Sequence, residues 1–177
     1  MPLALEPGVT VEPGRSTVLV APPGFLVDLL MQPEVGRFTA LYLYGVSSRV
    51  LFRLPRHAPN LQVQSCMTVH QLLSSLREAY QTIVIVEYDD GVFSSLEGGD
   101  RDVIFAVSRQ LRELAQSSTV LLYAPRADRG LRALLRTADQ VVWRYDERPP
   151  AAVIRPRSRP GAAIAKGGGM LGPAAAW

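Results

Sequence analysis

Apolar and polar positions alternate along this chain in two rhythms. Continuous apolar runs at residues 16–20, 39–44, 82–87, 118–123 and 140–145 read as strands buried on both faces. The clearest is Thr82-Ile83-Val84-Ile85-Val86-Glu87, whose four consecutive β-branched aliphatic residues at 83–86 predict a central parallel strand. Residues 60–64 alternate, with Leu61 and Val63 inward, and residues 50–54 are a lesser strand candidate. Between the strands the spacing becomes helical. Residues 25–31 are mostly apolar and stop ahead of Pro33, because helical backbone is disfavoured just before proline. Thr68-Val69-His70-Gln71 is a capping box, and the helix it opens carries Val69, Leu72, Leu73, Leu76 and Ala79 on one stripe. A Gly98-Gly99-Asp100 break leads into Val103, Ile104, Val107, Leu111 and Leu114 at helical spacing. Asp128 caps a short helix that reaches Arg136. Strands alternating with helices predict right-handed crossovers and an α/β fold, with a mostly parallel sheet flanked by helices in three layers.

The rhythm also divides the chain. Residues 1–15 hold Pro7-Gly8 and Pro13-Gly14 and form an N-terminal arm, either loop or a short edge strand. Residues 16–148 form the core domain. Residues 149–177 are rich in Pro, Gly and Arg and make a flexible tail, in which Val153-Ile154 is a candidate extra edge strand. The chain contains no internal repeats.

Composition narrows this picture in a few places. A chain of 177 residues with 47% hydrophobic and 20% charged content is one globular domain and excludes a mainly disordered protein. No apolar run approaches the ~20 residues of a membrane helix. No secretory leader is visible at the start, so a cytoplasmic protein is expected. A single Cys66 excludes an internal disulfide or a Cys-based zinc cluster. Net charge is only +3, yet all but one of the nineteen basic residues are Arg, the exception being Lys166. That excess suits phosphate or carboxylate contacts, and GC-rich coding produces the same excess.

The candidate chemistry begins at Thr17-Val18-Leu19-Val20-Ala21-Pro22-Pro23-Gly24-Phe25-Leu26-Val27-Asp28. An apolar strand, a Pro-Pro-Gly turn and a helical pattern follow one another as around a phosphate-binding loop. A working loop reads G-x-x-x-x-G-K-[ST], with glycines for close backbone approach, Lys on the phosphates and a hydroxyl on Mg²⁺. Here Ala21 stands at the first Gly, and Leu26, Val27 and Asp28 stand where Gly-Lys-Thr would be. Val carries no charge and Asp repels phosphate. The segment implies a nucleotide-hydrolase fold that has lost its catalytic loop.

With the remaining elements in order, the chain resembles the RecA/RadA/KaiC-like ATPase core. Residues 18–24, 40–44, 60–79, 83–87, 100–115 and 119–123, then Ala138-Asp139-Gln140-Val141-Val142, follow that family's sequence of elements over roughly residues 15–146. The resemblance implies a RecA-like (P-loop NTPase-type) three-layer fold. It places Glu87 at the Walker B acid, where the family uses Asp, with Asp89 and Asp90 just beyond. No Phe is followed by the Phe-x-x-Ala spacing of polymerising subunits. The resemblance therefore implies a degenerate paralogue that partners an active recombinase or serves as a scaffold.

Gly24, Glu87, Asp89 and Asp90 are the candidate vestigial nucleotide site, since ligands of open α/β sheets bind at the carboxyl ends of strands. The ordinary alternative is a solvated loop, Asp89-Asp90-Gly91 being good turn chemistry. Arg129, Arg132 and Arg136 fall on one helical face with Arg126 just before. With Arg155, Arg157 and Arg159 of the tail they form either a sequence-blind phosphate track or a solvated face and linker. Trp177, on a glycine leash, is either a docking peptide or an unstructured terminus. His57 and His70 lack partners for a metal site, and Cys66 with His70 lacks an orienting acid. No serine lies in a nucleophile elbow, so no catalytic residue, metal or cofactor is assigned.

Three functions follow as expectations. The first is a non-catalytic partner or mediator of a recombinase-type ATPase, or of another protein, in DNA recombination or repair, with nonspecific DNA contact and no membrane role. The second is a nucleotide sensor or ATPase with a non-standard phosphate loop. The third is a KaiC-like signalling adaptor.

Overall fold

The computed structural model describes residues 3–6, 9–55, 60–94 and 101–145. The arm forms an antiparallel pair, β1 (Leu3–Glu6) and β2 (Val9–Val11), whose Val11 is fully buried. The core then runs β3 (Ser16–Val20), α1 (Pro23–Leu30), β4 (Ala40–Tyr44), β5 (Leu61–Ser65), α2 (Val69–Glu78) and β6 (Ile83–Glu87). It continues α3 (Asp90–Ser94), α4 (Arg101–Ala115), β7 (Thr119–Ala124), α5 (Arg129–Leu135) and β8 (Gln140–Trp143). Six strands pair in the order β5-β4-β6-β7-β3-β8, every pair parallel. Helices cover both faces, giving the three-layer RecA-like α/β architecture expected from the sequence.

Period-2 alternation splits the apolar strands between two cores. Val18, Val20, Leu41, Leu43, Val84, Val86, Val120 and Leu122 face α2, α4 and α5. Leu19, Tyr42, Ile83, Ile85, Leu121 and Tyr123 face the other way, against Leu26 and Leu29 of α1 and the turn at Val35–Arg37. The α2 cap forms as its sequence suggests: Thr68 Oγ1 accepts from the Gln71 amide at 3.2 Å, and Gln71 Oε1 accepts from Met67 N at 2.8 Å. Asp128 likewise caps α5, its Oδ1 accepting from Leu131 N at 2.7 Å. Among the described residues no helix is long and apolar enough to cross a membrane.

Four local expectations need correction. Residues 50–54 are not a strand, and Leu51–Arg53 is a 3₁₀ turn. Ser48 Oγ accepts from Leu51 N at 3.1 Å and Arg53 N donates to Val50 O at 2.9 Å, which curls the backbone and sets Leu51 and Leu54 on the core while Phe52 points out. Val63 is not inward: β5 is an edge strand and Val63 is 45% exposed. Asp89-Asp90-Gly91 opens the short helix α3 instead of making a free turn, because Asp89 Oδ1 accepts from Gly91 N at 2.9 Å. The last strand stops at Trp143. The Gly98-Gly99-Asp100 break and Val153-Ile154 lie outside the described residues.

Asp139 joins the two ends of the core. Its Oδ2 accepts from Ser16 N at 2.9 Å and from Ser16 Oγ at 2.8 Å, and its own amide donates to Ser16 O at 3.0 Å. This locks β8 beside β3 at its amino end. Replacing Asp139 with Ala leaves the Ser16 donors unpaired, and urea unfolding is expected to show a loss on the order of 1–2 kcal/mol. An unchanged midpoint would mean that water serves Ser16 equally well.

Candidate functional site

The carboxyl ends of β4, β6, β7 and β3 gather the polar side chains of interest. The junction after β3 is short. Ala21 N donates to Ala124 O at 3.2 Å, Pro22 is the N-cap residue of α1, and Pro23 already lies in the helix. Two consecutive residues therefore carry no N–H, and the Phe25 amide is spent on Pro22 O at 3.0 Å. A nest of free amides, the group that holds phosphate in such loops, is not formed by these residues. Leu26 is fully buried in the core and Asp28 is exposed, so neither stands where a phosphate-binding Lys or hydroxyl would act. Gly24 faces a cation from elsewhere: Arg53 Nη1 lies 3.8 Å from where a Cβ on Gly24 would stand.

Glu87, at the end of β6, turns inward on the α1 side and is only 8% exposed. Tyr42 Oη donates to Glu87 Oε2 at 2.8 Å and lies 3.5 Å from Ser48 Oγ. Ser48 and the Arg49 backbone also lie close enough to the Glu87 carboxylate to favour its charged form. Burial raises the Glu87 pKa and Asp89 adds repulsion, while Ser48, Tyr42 and the Arg49 backbone oppose the rise. Burial, then Glu87, raises the Tyr42 pKa out of the physiological range. Next to this pair, Tyr123 is fully buried, and its hydroxyl has no hydrogen-bond partner among the described residues. Burial and the nearby Glu87 raise its pKa, while Arg53 and Arg49 pull it down, which puts both guanidinium groups within electrostatic reach of this ring.

The other two acids are engaged differently. Asp89 Oδ2 accepts from Val46 N at 2.8 Å and its Oδ1 from Gly91 N, so it ties the end of β4 to the start of α3. Contact with Asp89 is so close that a Cβ on Gly45 would lie 2.6 Å from Asp89 Cβ. Asp90 is exposed at the first turn of α3. Glu87, Asp89 and Asp90 are neighbours in sequence, but each carboxylate has a separate environment. On the opposite face Tyr88 stacks on Phe93 at 5.1 Å and donates to Asp128 Oδ1 at 3.0 Å, which fastens β6 to the α5 cap.

Arg126, Arg129, Arg132 and Arg136 are all exposed, while Leu131 and Leu134 of the same helix are buried. No salt bridge among the described residues includes any of the four. Arg155, Arg157, Arg159 and Trp177 lie outside the described residues, as does His57. His70 is exposed, whereas Cys66 is buried beside Ser75 Oγ at 3.6 Å, with burial raising its thiol pKa. The sequence reading missed Tyr42, Ser48, Arg49, Arg53 and Tyr123. The parity of Tyr42, Glu87 and Tyr123 on their strands was readable, but the register that sets them side by side was not.

The buried carboxyl gives a pH signature. Well below the ordinary Glu pKa of about 4.3, Glu87 is protonated in both folded and unfolded chains. As pH rises through the higher folded value, the unfolded chain ionises freely while the folded one must hold a desolvated carboxylate, so stability is lost across that window. Glu87→Gln removes this penalty. Urea titrations should find the variant more stable than wild type at pH 7–8, with the gap closing towards about pH 4. A gap independent of pH would show that Glu87 titrates normally.

No family model matches the chain. It is similar to a protein of Archaeoglobus fulgidus described only as an uncharacterized protein, at 31% identity over 129 residues. The match covers 73% of this chain and 64% of that relative, so the chain spans less than two thirds of the relative's length.

Proposed function

We propose that this chain is a non-catalytic RecA-like domain of the cytoplasm. In this reading it acts by binding a protein partner, a recombinase-type ATPase engaged in DNA recombination or repair. A sequence-nonspecific DNA contact runs through Arg126, Arg129, Arg132 and Arg136. The observation that carries the reading is the Pro22-Pro23 junction, where the two residues that lead into α1 have no amide to offer a phosphate. The choice of partner rests on the order of elements shared with the recombinase-type core. The exposed arginines in and beside α5, which take part in no salt bridge among the described residues, support an electrostatic DNA contact. Arg53 beside Gly24 favours a second reading, a nucleotide sensor whose cation comes from the turn after β4 instead of from the loop itself.

Thermal unfolding with Mg²⁺-ATP, Mg²⁺-ADP or short DNA, at low and physiological salt, separates the two. The first reading expects no nucleotide effect and a salt-sensitive shift with DNA. A nucleotide at ~100 times its Kd would add roughly 2.7 kcal/mol, and such a shift would select the sensor. Arg132→Glu with Arg136→Glu should abolish DNA retention at low salt. Undiminished retention would remove α5 from the contact.

A further inference from the structure

We infer that residues 46–54, which follow β4, are a binding site for single-stranded nucleic acid, with Phe52 as a stacking platform and Arg49 and Arg53 as phosphate contacts. The inference rests on the proposed function only in taking nucleic acid as the ligand, since it uses a surface separate from α5.

Phe52 is 88% exposed on a backbone that is otherwise firmly held. Val46 N donates to Asp89, Ser48 Oγ accepts from Leu51 N, Arg53 N donates to Val50 O, and Leu51 and Leu54 pack on the core. Residues 46–54 are anchored by these contacts, and the exposed residues among them are Val46, Ser47, Arg49, Phe52 and Arg53. An aromatic ring carried on a held backbone loses less entropy on binding than one on a mobile loop.

Along the sequence around it the charge has one sign. Residues 35–77 contain no Asp or Glu and five Arg. The acids that approach the segment from β6 and its end, Glu87 and Asp89, hold their carboxylates against Tyr42 and the Val46 and Gly91 amides. No salt bridge among the described residues takes up Arg49 or Arg53. A protein anchor usually sits within an apolar surround that excludes water. Phe52 instead has the exposed Arg49 three residues before it and the exposed Arg53 directly after it, a combination that suits a stacked base with phosphates nearby.

The test is fluorescence anisotropy with a labelled oligo-dT strand at low salt, comparing wild type, Phe52→Ala, Phe52→Trp, Arg49→Glu with Arg53→Glu, and the α5 double variant. Because Phe52 is exposed, Phe52→Ala should keep the wild-type urea midpoint. The proposal expects Phe52→Ala to weaken binding about 10-fold or more and Phe52→Trp to preserve it. The Arg49/Arg53 variant should both weaken binding and flatten its salt dependence. If Phe52→Ala binds like wild type while the α5 variant loses the strand, the inference falls and the α5 contact stands. If duplex is retained but no single strand binds, the inference also falls alone. If neither is bound, it falls together with the DNA contact of the proposed function. A Phe52→Ala variant that keeps its oligonucleotide but loses a protein partner would reassign the ring to a protein interface.

Discussion

A parallel sheet cannot leave either face bare, because its crossover connections and its apolar strands require cover above and below. Most other features of this molecule answer to that constraint. β3, β4, β6 and β7 supply alternating side chains to two cores, and α2, α4 and α5 close one of them fully. The second core has thinner cover: α1, two 3₁₀ turns and the packing of β2. Every residue near α1 is therefore drawn into packing. Leu26 fills the core at a position where a phosphate-binding loop would need a small residue and a free amide.

The same thin side explains the inward turn of Glu87. A carboxylate at the end of a buried strand needs a hydrogen-bond partner. Tyr42 donates to it, and burial pushes its pKa upward. The cost of burying one acid is offset by fixing the backbone of the segment after β4. The arginines and the phenylalanine of that segment then project from a rigid base.

The fold was largely readable from rhythm. Four β-branched residues in a row at 83–86, the Thr68/Gln71 cap and the Asp128 cap each fix an element by local chemistry, and each appears in the structure. Residues 50–54 misled because Val50, Phe52 and Leu54 alternate as a strand would, while one hydroxyl, on Ser48, curls them into a turn. Val63 misled because nothing in a pentapeptide tells an edge strand from a covered one. The site was less readable still. Glu87 stood out in the sequence, but Tyr42 and Tyr123 look like ordinary apolar-strand residues until the register places them beside it. Asp89 and Asp90 share a sequence neighbourhood with Glu87 but not its chemistry, since strand alternation and the start of α3 send their side chains to different partners.

Strand order also dictates when the sheet can close. β3 is the first strand of the sheet, yet its two neighbours are the last ones, with Thr17 opposite Leu121 on one side and Gln140 on the other. As the chain leaves the ribosome, Ser16–Val20 has no partner until residues 119–143 have emerged. The strands β4, β5 and β6, with α2 between them, are contiguous in both sequence and space and form a unit that can assemble earlier. The most apolar N-terminal segment thus waits longest with both edges open, which makes this topology slow to close and most dependent on protection during synthesis.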